Sequence, residues 1–217
     1  MERLKQTIIL FDLDGTLTDS AEGVLRSAQH MQEKMGMRVW SEEELRFMVG
    51  PPLRDTFRDV FHMNPEEVEQ AILYFRERYF TVGLFENKVF PGIEEMLKEL
   101  VAMGKRLGVA TSKHESTAVR ILEHFGLAKY FEVIGGDSPE SSRTNKTMVM
   151  DYVLKRMEAK EGDAIMVGDR MFDIDGAHAL GLPAIAVEFG YGDREEFEDH
   201  GADYIVKTPK EVADLFR

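Results

Sequence analysis

The chain has 217 residues, with 27 Lys and Arg against 40 Asp and Glu, for a formal net charge of −13. That length suits one full domain or a core with a small accessory one. The acidic balance disfavours nucleic acid and anionic membranes, because binding to either grows with the number of cationic contacts a surface can offer. Cys is absent, which excludes disulfides, thiolate catalysis and Cys-ligated metal centres.

In chain order, Thr7–Phe11 reads as the first strand. Its apolar run Ile8-Ile9-Leu10-Phe11 is too short for a signal-peptide core, and no stretch approaches the ~18 apolar residues that span a bilayer. The expected location is therefore cytoplasmic, and the glycosylation sequon Asn145-Lys146-Thr147 is read as coincidental.

From Thr18 to about Lys88 every pattern is helical. Val24, Leu25, Ala28, Met31 and Met35 recur at helical spacing. Ser41 with Glu44 predicts a helix over Glu42–Met48, a second pattern covers Arg54–Phe61, and Asn64-Pro65 with Glu67 starts a third ahead of Val68, Ala71, Ile72 and Phe75. The Met-rich character of this insert, Met31, Met35, Met37, Met48 and Met63, is read as core filler. Asp14–Thr18 and Gly83–Phe90 are the expected hinges.

Beyond the insert, Pro91 is placed at the first position of a helix carrying the stripe Ile93, Met96, Leu97 and Leu100. Strand runs follow at Arg106–Ala110, Phe131–Ile134, Ala164–Val167, Ala184–Val187 and Tyr204–Val206, alternating with helical segments. The runs are apolar throughout, as in parallel strands covered on both faces. The fold expected is α/β, a Rossmann-like parallel sheet core formed by residues 1–17 and 88–217, with an all-helical domain, residues 18–87, inserted after the first strand.

Asp12-Leu13-Asp14-Gly15-Thr16 follows the first strand directly, at the carboxyl end where open α/β sheets place ligands. Two carboxylates there repel each other unless a cation or a shared proton intervenes. Leu17 stands where a calcium loop would need glycine, whereas Mg²⁺ needs only one or two carboxylates with water and phosphate. Gly168-Asp169-Arg170-Met171-Phe172-Asp173 ends another strand with a second acidic pair. Thr111-Ser112-Lys113 offers a hydroxyl and backbone N–H groups at an expected helix entrance, a combination that holds phosphate oxygens. Lys146 opens the helical stretch Thr147–Met157, where a cation is electrostatically misplaced without a nearby anion. The histidines are scattered: His114-Glu115 lacks the second His of a zinc motif, since position 118 is Ala118. Gly190-Tyr191-Gly192 is read as a turn, since Glu195 replaces the third Gly of a dinucleotide fingerprint.

Together these four elements resemble the haloacid dehalogenase-like hydrolase superfamily, with its D-x-D-G-T, a Ser or Thr after the second strand, a Lys, and G-D-x-x-x-D. The phosphoglycolate phosphatase and 5′-nucleotidase-like branch is the most similar, its helical cap inserted where this chain has its helical segment. The resemblance implies a phosphatase acting on a small phosphorylated metabolite. Asp12 would be the nucleophile that forms an aspartyl-phosphate, and Asp14 the acid and base. Thr111, Ser112 and Lys146 would grip the phosphoryl group. Mg²⁺ would sit between Asp12, the main-chain carbonyl of Asp14, and Asp169, with Asp173 acting behind them. Many members follow the lysine with Pro; here Thr147 follows Lys146. Arg54, in the loop Gly50–Arg54, and Lys113 are candidates for substrate selection. The expected assembly is a monomer or a homodimer, with no nucleic-acid or membrane partner. A sugar-phosphate mutase resembling beta-phosphoglucomutase is the alternative enzyme, and a receiver-type signalling domain the alternative of another class. Metal-free dehalogenation is disfavoured because Asp14 and Asp169 look built for a cation.

Overall fold

The computed structural model describes residues 3–51, 53–138, 143–160 and 162–217. They fall into two compact units, one of residues 1–18 with 89–217 and one of residues 19–88. The chain crosses between the units within two short strands, β2 (Thr18–Asp19) and β3 (Lys88–Val89). Among the described residues no helix is long and apolar enough to cross a membrane.

The larger unit is built on a six-stranded sheet. Its strands are β1 (Ile8–Phe11), β4 (Arg106–His114), β5 (Val133–Asp137), β6 (Ala164–Gly168), β7 (Ala184–Val187) and β8 (Tyr204–Val206), in the order β5-β4-β1-β6-β7-β8. Every pairing is parallel, so the fold is the α/β Rossmann-like sheet that the apolar runs predict. β1 and β6 are buried along their whole length, with no alternation, because both faces of a parallel sheet are covered. On one face Ile8, Leu10 and Met166 pack with Val149 and Val153 of α6 (Lys146–Arg156) and with Ile174 and Ala177 of α7 (Met171–His178). The α/β connections are completed by α4 (Ile93–Ala102), α5 (Glu115–His124), α8 (Arg194–Asp199) and α9 (Pro209–Asp214).

Three boundaries differ from the sequence reading. Pro91 lies in the turn before α4; the N-cap is Gly92, whose φ of 88° lies outside the helical region, so the helix begins at Ile93. The stripe Ile93, Met96, Leu97 and Leu100 is buried as expected. β5 starts at Val133 because Phe131 still closes a 3₁₀ turn over Ala128–Tyr130. It runs on to Asp137, which pairs with His114 beyond an irregularity in the β4–β5 ladder. An apolar run cannot reveal this, since the strand continues through Gly135, which pairs with Ala110, and Gly136, whose N–H donates to the Glu115 carboxylate.

In the smaller unit α1 (Ala21–Lys34) packs on α3 (Pro65–Tyr79), and α2 (Leu53–Asp59) packs on α3 as well. α1 buries Val24, Leu25, Ala28 and Met31, while α3 buries Val68, Ala71, Ile72 and Phe75. Asn64 caps α3, accepting from the backbone N–H groups of Glu66 and Glu67, and its own N–H donates to the Glu67 carboxylate, with Pro65 at the first helical position. The reciprocal bonds of Ser41 and Glu44 also form, yet they start only turns and a 3₁₀ segment, Arg46–Met48, in place of the expected helix. Here the chain buries only Leu45, Met48 and Val49, which is too little to stabilise further turns. Met31, Met48 and Met63 are core, whereas Met35 and Met37 are half-buried. Trp40, Phe47, Phe57 and Phe61 form a connected set of ring contacts 5.1–6.1 Å apart.

Glu86 ties this unit together. Its carboxylate lies 2.6 Å from Arg78 and 3.1 Å from Arg26, and its carbonyl accepts from Gly23 N at 3.0 Å. Hydrogen bonds from Arg78, opposed by burial and reinforced by Arg26, hold the Glu86 carboxyl below its ordinary range. A carboxyl depressed in the folded state stabilises above its unfolded pKa and loses that contribution as pH falls through the folded value. Glu86→Gln is expected to cost about 1–2 kcal/mol at pH 7, with the gap to wild type closing in acid. Denaturant titrations at a series of pH values check this, and a gap independent of pH would contradict it.

Candidate active site

β1 and β6 are neighbours, with Phe11 opposite Val167, and the N–H of Asp12 donates to the Val167 carbonyl at 3.0 Å. In this strand order the connection leaving β1 leads to the β4 side and the one leaving β6 leads to the β7 side. The crevice at their carboxyl ends is therefore the switch point of the sheet, where such folds bind ligands. Asp12 stands one residue past β1 and Asp169 one residue past β6.

Asp12, Asp169 and Asp173 are all buried, and one oxygen from each lies within 4.8 Å of the others. The ammonium of Lys146 reaches between two of them, 2.8 Å from Asp12 Oδ1 and 2.8 Å from Asp173 Oδ1, and it donates to the Ala110 carbonyl at 3.2 Å. The cation that looked misplaced at a helix start thus has two anions of the protein itself beside it. Asn145, the sequon asparagine, is the cap of α6, accepting from Met148 N at 2.9 Å. Arg143, the other nearby cation, is engaged by Glu115 at 2.6 Å.

The remaining contacts lock the carboxylates in place. Asp169 accepts from the Thr16 hydroxyl at 3.0 Å and from Tyr191 N at 2.9 Å. Asp173 Oδ2 accepts from Asp169 N at 3.2 Å and from Arg170 N at 3.1 Å, so it braces the end of β6 as well as pairing with Lys146. Asp14 Oδ2 lies 2.9 Å from the Lys113 ammonium, and its other oxygen is enclosed without a hydrogen-bond donor. Gly15 has φ +82°, and a Cβ there would stand 2.0 Å from Asp169 Oδ2. A Cβ on Gly190 would meet Asp169 Cβ at 2.3 Å and the Gly15 carbonyl at 2.4 Å. Only glycine lets the three backbone segments close on this carboxylate.

The electrostatics are those of crowded anions. Burial, then the charges of Asp173 and Asp12, push Asp169 well above the ordinary carboxylate range, against its bonds from Tyr191 and Thr16. Burial also drives Asp173 up to about 6, against Lys146, with Asp12 adding to the rise. Burial opposes the charge on Lys146, yet Asp12 and Asp173 outweigh it and hold the ammonium above its ordinary value. Among the described residues, the four carboxyl groups of Asp12, Asp14, Asp169 and Asp173 stand against two ammonium groups, Lys113 and Lys146, so the oxygen donors outnumber the cations beside them. Hard oxygen donors with that excess fit a divalent cation such as Mg²⁺.

The family model described as haloacid dehalogenase-like hydrolase matches residues 9–187, from β1 through β7. The chain belongs to the haloacid dehalogenase-like hydrolase family. A tyrosine-protein kinase, PtkA, of Mycobacterium tuberculosis is 40% identical over 208 residues, covering 96% of this chain and 70% of that protein. A 5′-nucleotidase of Pseudomonas aeruginosa is 37% identical, covering 91% of this chain and 89% of its own. The crystal structure described as a predicted phosphatase from Clostridium acetobutylicum superposes with a TM-score of 0.91 at 42% identity, covering 96% of this chain and 97% of its own. Within the haloacid dehalogenase-like hydrolases, the chain is a phosphatase.

The other residues singled out from sequence fare differently. Thr111 is buried, and its hydroxyl accepts from Lys113 N at 3.2 Å, while the Ser112 side chain is exposed. The helix entrance expected at Ser112 lies further on. β4 runs to His114 through its ladder irregularity, and α5 begins at Glu115. Arg54 belongs to the helical unit, where the Glu69 carboxylate holds its guanidinium with both oxygens. Pro52, in the same expected loop, lies outside the described residues. Thr16, the Tyr191 backbone and Glu196, which accepts from Met171 N at 2.6 Å, were not singled out. The one available signal was Gly190-Tyr191-Gly192 after a strand.

Lys146→Met leaves Asp12 and Asp173 buried together without their shared cation, a change expected to cost about 3–5 kcal/mol at pH 7. Lys146 is raised in the folded state, so its contribution is fully present at neutral pH and is lost only at alkaline values. In the variant Asp173, already pushed up to about 6 by burial, gains from protonation, so the deficit should shrink between pH 7 and pH 5. Denaturant melts in chelator at both pH values measure it; an unchanged stability at pH 7 would contradict the arrangement.

Proposed function

We propose that the chain is a Mg²⁺-dependent phosphatase that hydrolyses a small phosphorylated metabolite through an aspartyl-phosphate on Asp12. The observation that carries this reading is the buried carboxylate of Asp12 at the switch point, ion-paired to Lys146 within a cluster of three buried carboxyl groups. A phosphate dianion does not approach such a cluster unaided. A divalent ion held by Asp12, Asp169 and the main-chain carbonyl of Asp14 would supply the opposing charge.

An oxygen of Asp12 attacks phosphorus as the bond to the leaving oxygen breaks, and Asp14 gives its proton to that oxygen. Asp14 then takes a proton from water, whose oxygen attacks the aspartyl-phosphate and releases phosphate and the free Asp12 carboxylate. The placement of Asp14 two residues past Asp12, with one carboxylate oxygen enclosed among the described residues, supports this double role. Lys146 holds charge on Asp12 and on the transferring group. Thr111 and the amide of Ser112 hold phosphoryl oxygens, and Asp173 keeps Lys146 and the β6 end in register. The relatives named 5′-nucleotidase and phosphoglycolate phosphatase support a metabolite of nucleotide- or glycolate-phosphate kind.

The test is phosphate release from phosphoglycolate, nucleoside monophosphates and sugar phosphates, with Mg²⁺ and with excess chelator. Release is expected to require the metal and to fall roughly a thousandfold or more in Asp12→Asn. Turnover that survives chelation, or that survives in Asp12→Asn, would defeat the proposal. Label recovered on a second hydroxyl of a bisphosphorylated sugar, with no free phosphate, would make the enzyme a mutase instead.

A further inference from the structure

The stretch between β7 and α8 forms a second wall around Asp169 that none of the recognised motifs contains. Tyr191 N donates to the Asp169 carboxylate at 2.9 Å, and Gly192 N donates to the Asp169 carbonyl at 3.0 Å. Five residues on, Glu196 reaches back from α8 to the segment just past Asp169. Its Oε1 accepts from Met171 N at 2.6 Å and from Arg170 Nε at 2.9 Å, while Oε2 lies 3.3 Å from Arg170 Nε. Both side chains of this pair are about four-fifths buried, at 18% and 19% exposure. Asp193 caps α8 by accepting from Glu196 N at 2.9 Å, which fixes the base of the Glu196 side chain as well.

Successive backbone N–H groups from Asp169 to Met171 are thereby held by two carboxylates. Asp173 takes those of Asp169 and Arg170, and Glu196 takes that of Met171. Met171 is the first residue of α7, so its N–H has no partner within the helix and a carboxylate there also meets the positive end of the helix dipole. Asp173 is already committed to Lys146 through its other oxygen. Glu196 alone among these groups holds the turn without contacting the acidic cluster.

We propose that Glu196 is a positioning residue for the divalent-cation site, acting through the Asp169–Met171 backbone to aim the Asp169 carboxylate. The inference rests on the metal-dependent reading above. Without Glu196, Met171 N–H loses its acceptor and Arg170 loses its carboxylate partner. The turn that carries Asp169 is then free to relax, and outer partners of metal ligands commonly change affinity 10–100-fold when removed.

The experiment is Mg²⁺ binding by calorimetry, with no substrate present, to wild type and to Glu196→Ala, Glu196→Gln and Glu198→Ala. Glu198 is an exposed residue of the same helix, paired with Arg194, and serves as the control. Glu196→Ala is expected to raise the Mg²⁺ dissociation constant about tenfold or more. Glu196→Gln, which keeps an oxygen to accept from Met171 N, should fall between Glu196→Ala and wild type, and Glu198→Ala should match wild type. An unchanged dissociation constant in Glu196→Ala overturns the proposal, even if its metal-free melting temperature drops, because that pattern marks a purely structural role. If Glu196→Ala does not fold, Glu196→Gln decides: weakened binding upholds the assignment and wild-type binding ends it. A wild-type protein that takes up no Mg²⁺ overturns the metal-dependent reading itself, which is a different failure.

Discussion

Buried carboxylates without enough counter-charge are the constraint on which this structure turns. An isolated carboxylate moved out of water either protonates or finds a partner, and here three of them share one corner of the core. Lys146 serves two at once, and its own burial is tolerated only because both stand within 2.8 Å. Asp169, which has no ammonium beside it among the described residues, instead accepts from the Thr16 hydroxyl and the Tyr191 N–H, donors from two separate segments of the chain. Hydrogen bonds of that kind orient a carboxylate and lower the cost of its charge, but they do not cancel it. The crowding of carboxyl groups is what lets the corner fit the cation proposed above, and distinguishes it from a polar patch in the core.

The sheet makes this crowding possible. Parallel strands present all their carboxyl ends on one side, and the reversal of connection direction between β1 and β6 leaves a gap there that no crossover fills. The hydrogen bond from Thr16 to Asp169 spans 153 positions in sequence, so the site exists only once the last third of the unit has docked beside its first strand. Gly15 and Gly190 are the steric counterpart of that electrostatic arrangement. Their missing Cβ atoms let the loops after β1 and β7 approach Asp169 to distances at which any side chain would overlap its carboxylate.

Much of this was readable from residues alone, for identifiable reasons. Strands buried on both faces must be apolar throughout, so β1, β6 and β7 announce themselves. The acidic pairs are legible through their conjunction: one such Asp serves as readily as a helix cap or turn residue, but two pairs ending two apolar strands place four carboxyl groups at one end of the sheet. What escaped notice depends on the path of the backbone. β5 continues through two glycines on hydrogen bonding alone, β4 runs four residues past its last apolar position, and the Ser41–Glu44 box forms fully yet starts no α-helix because too little apolar surface follows it. Glu196 is invisible for another reason. It stands in Arg194-Glu195-Glu196-Phe197-Glu198, a charged helical run like many on a solvated face, and only the return of α8 toward α7 turns one of its acids inward. Arg54 illustrates the opposite hazard, since a cation at the end of a loop containing two prolines is read as a candidate contact for an anionic ligand but has a carboxylate of its own unit.

The net charge of −13 takes on a different meaning beside the site. Over a Debye length of about 8 Å at physiological salt, the acidic surface is largely screened from an approaching metabolite, although a polyanion contacting many surface positions would still meet it. A small phosphate ester therefore responds to the few charges within direct reach. Those charges are arranged in opposition to the whole: Lys146 and Lys113 face inward at 6% and 11% exposure, and the carboxyl groups around them outnumber them. The same excess of acid that repels polymers at the surface becomes, once folded into the crevice between β1 and β6, a set of oxygen donors that fits the divalent ion proposed above.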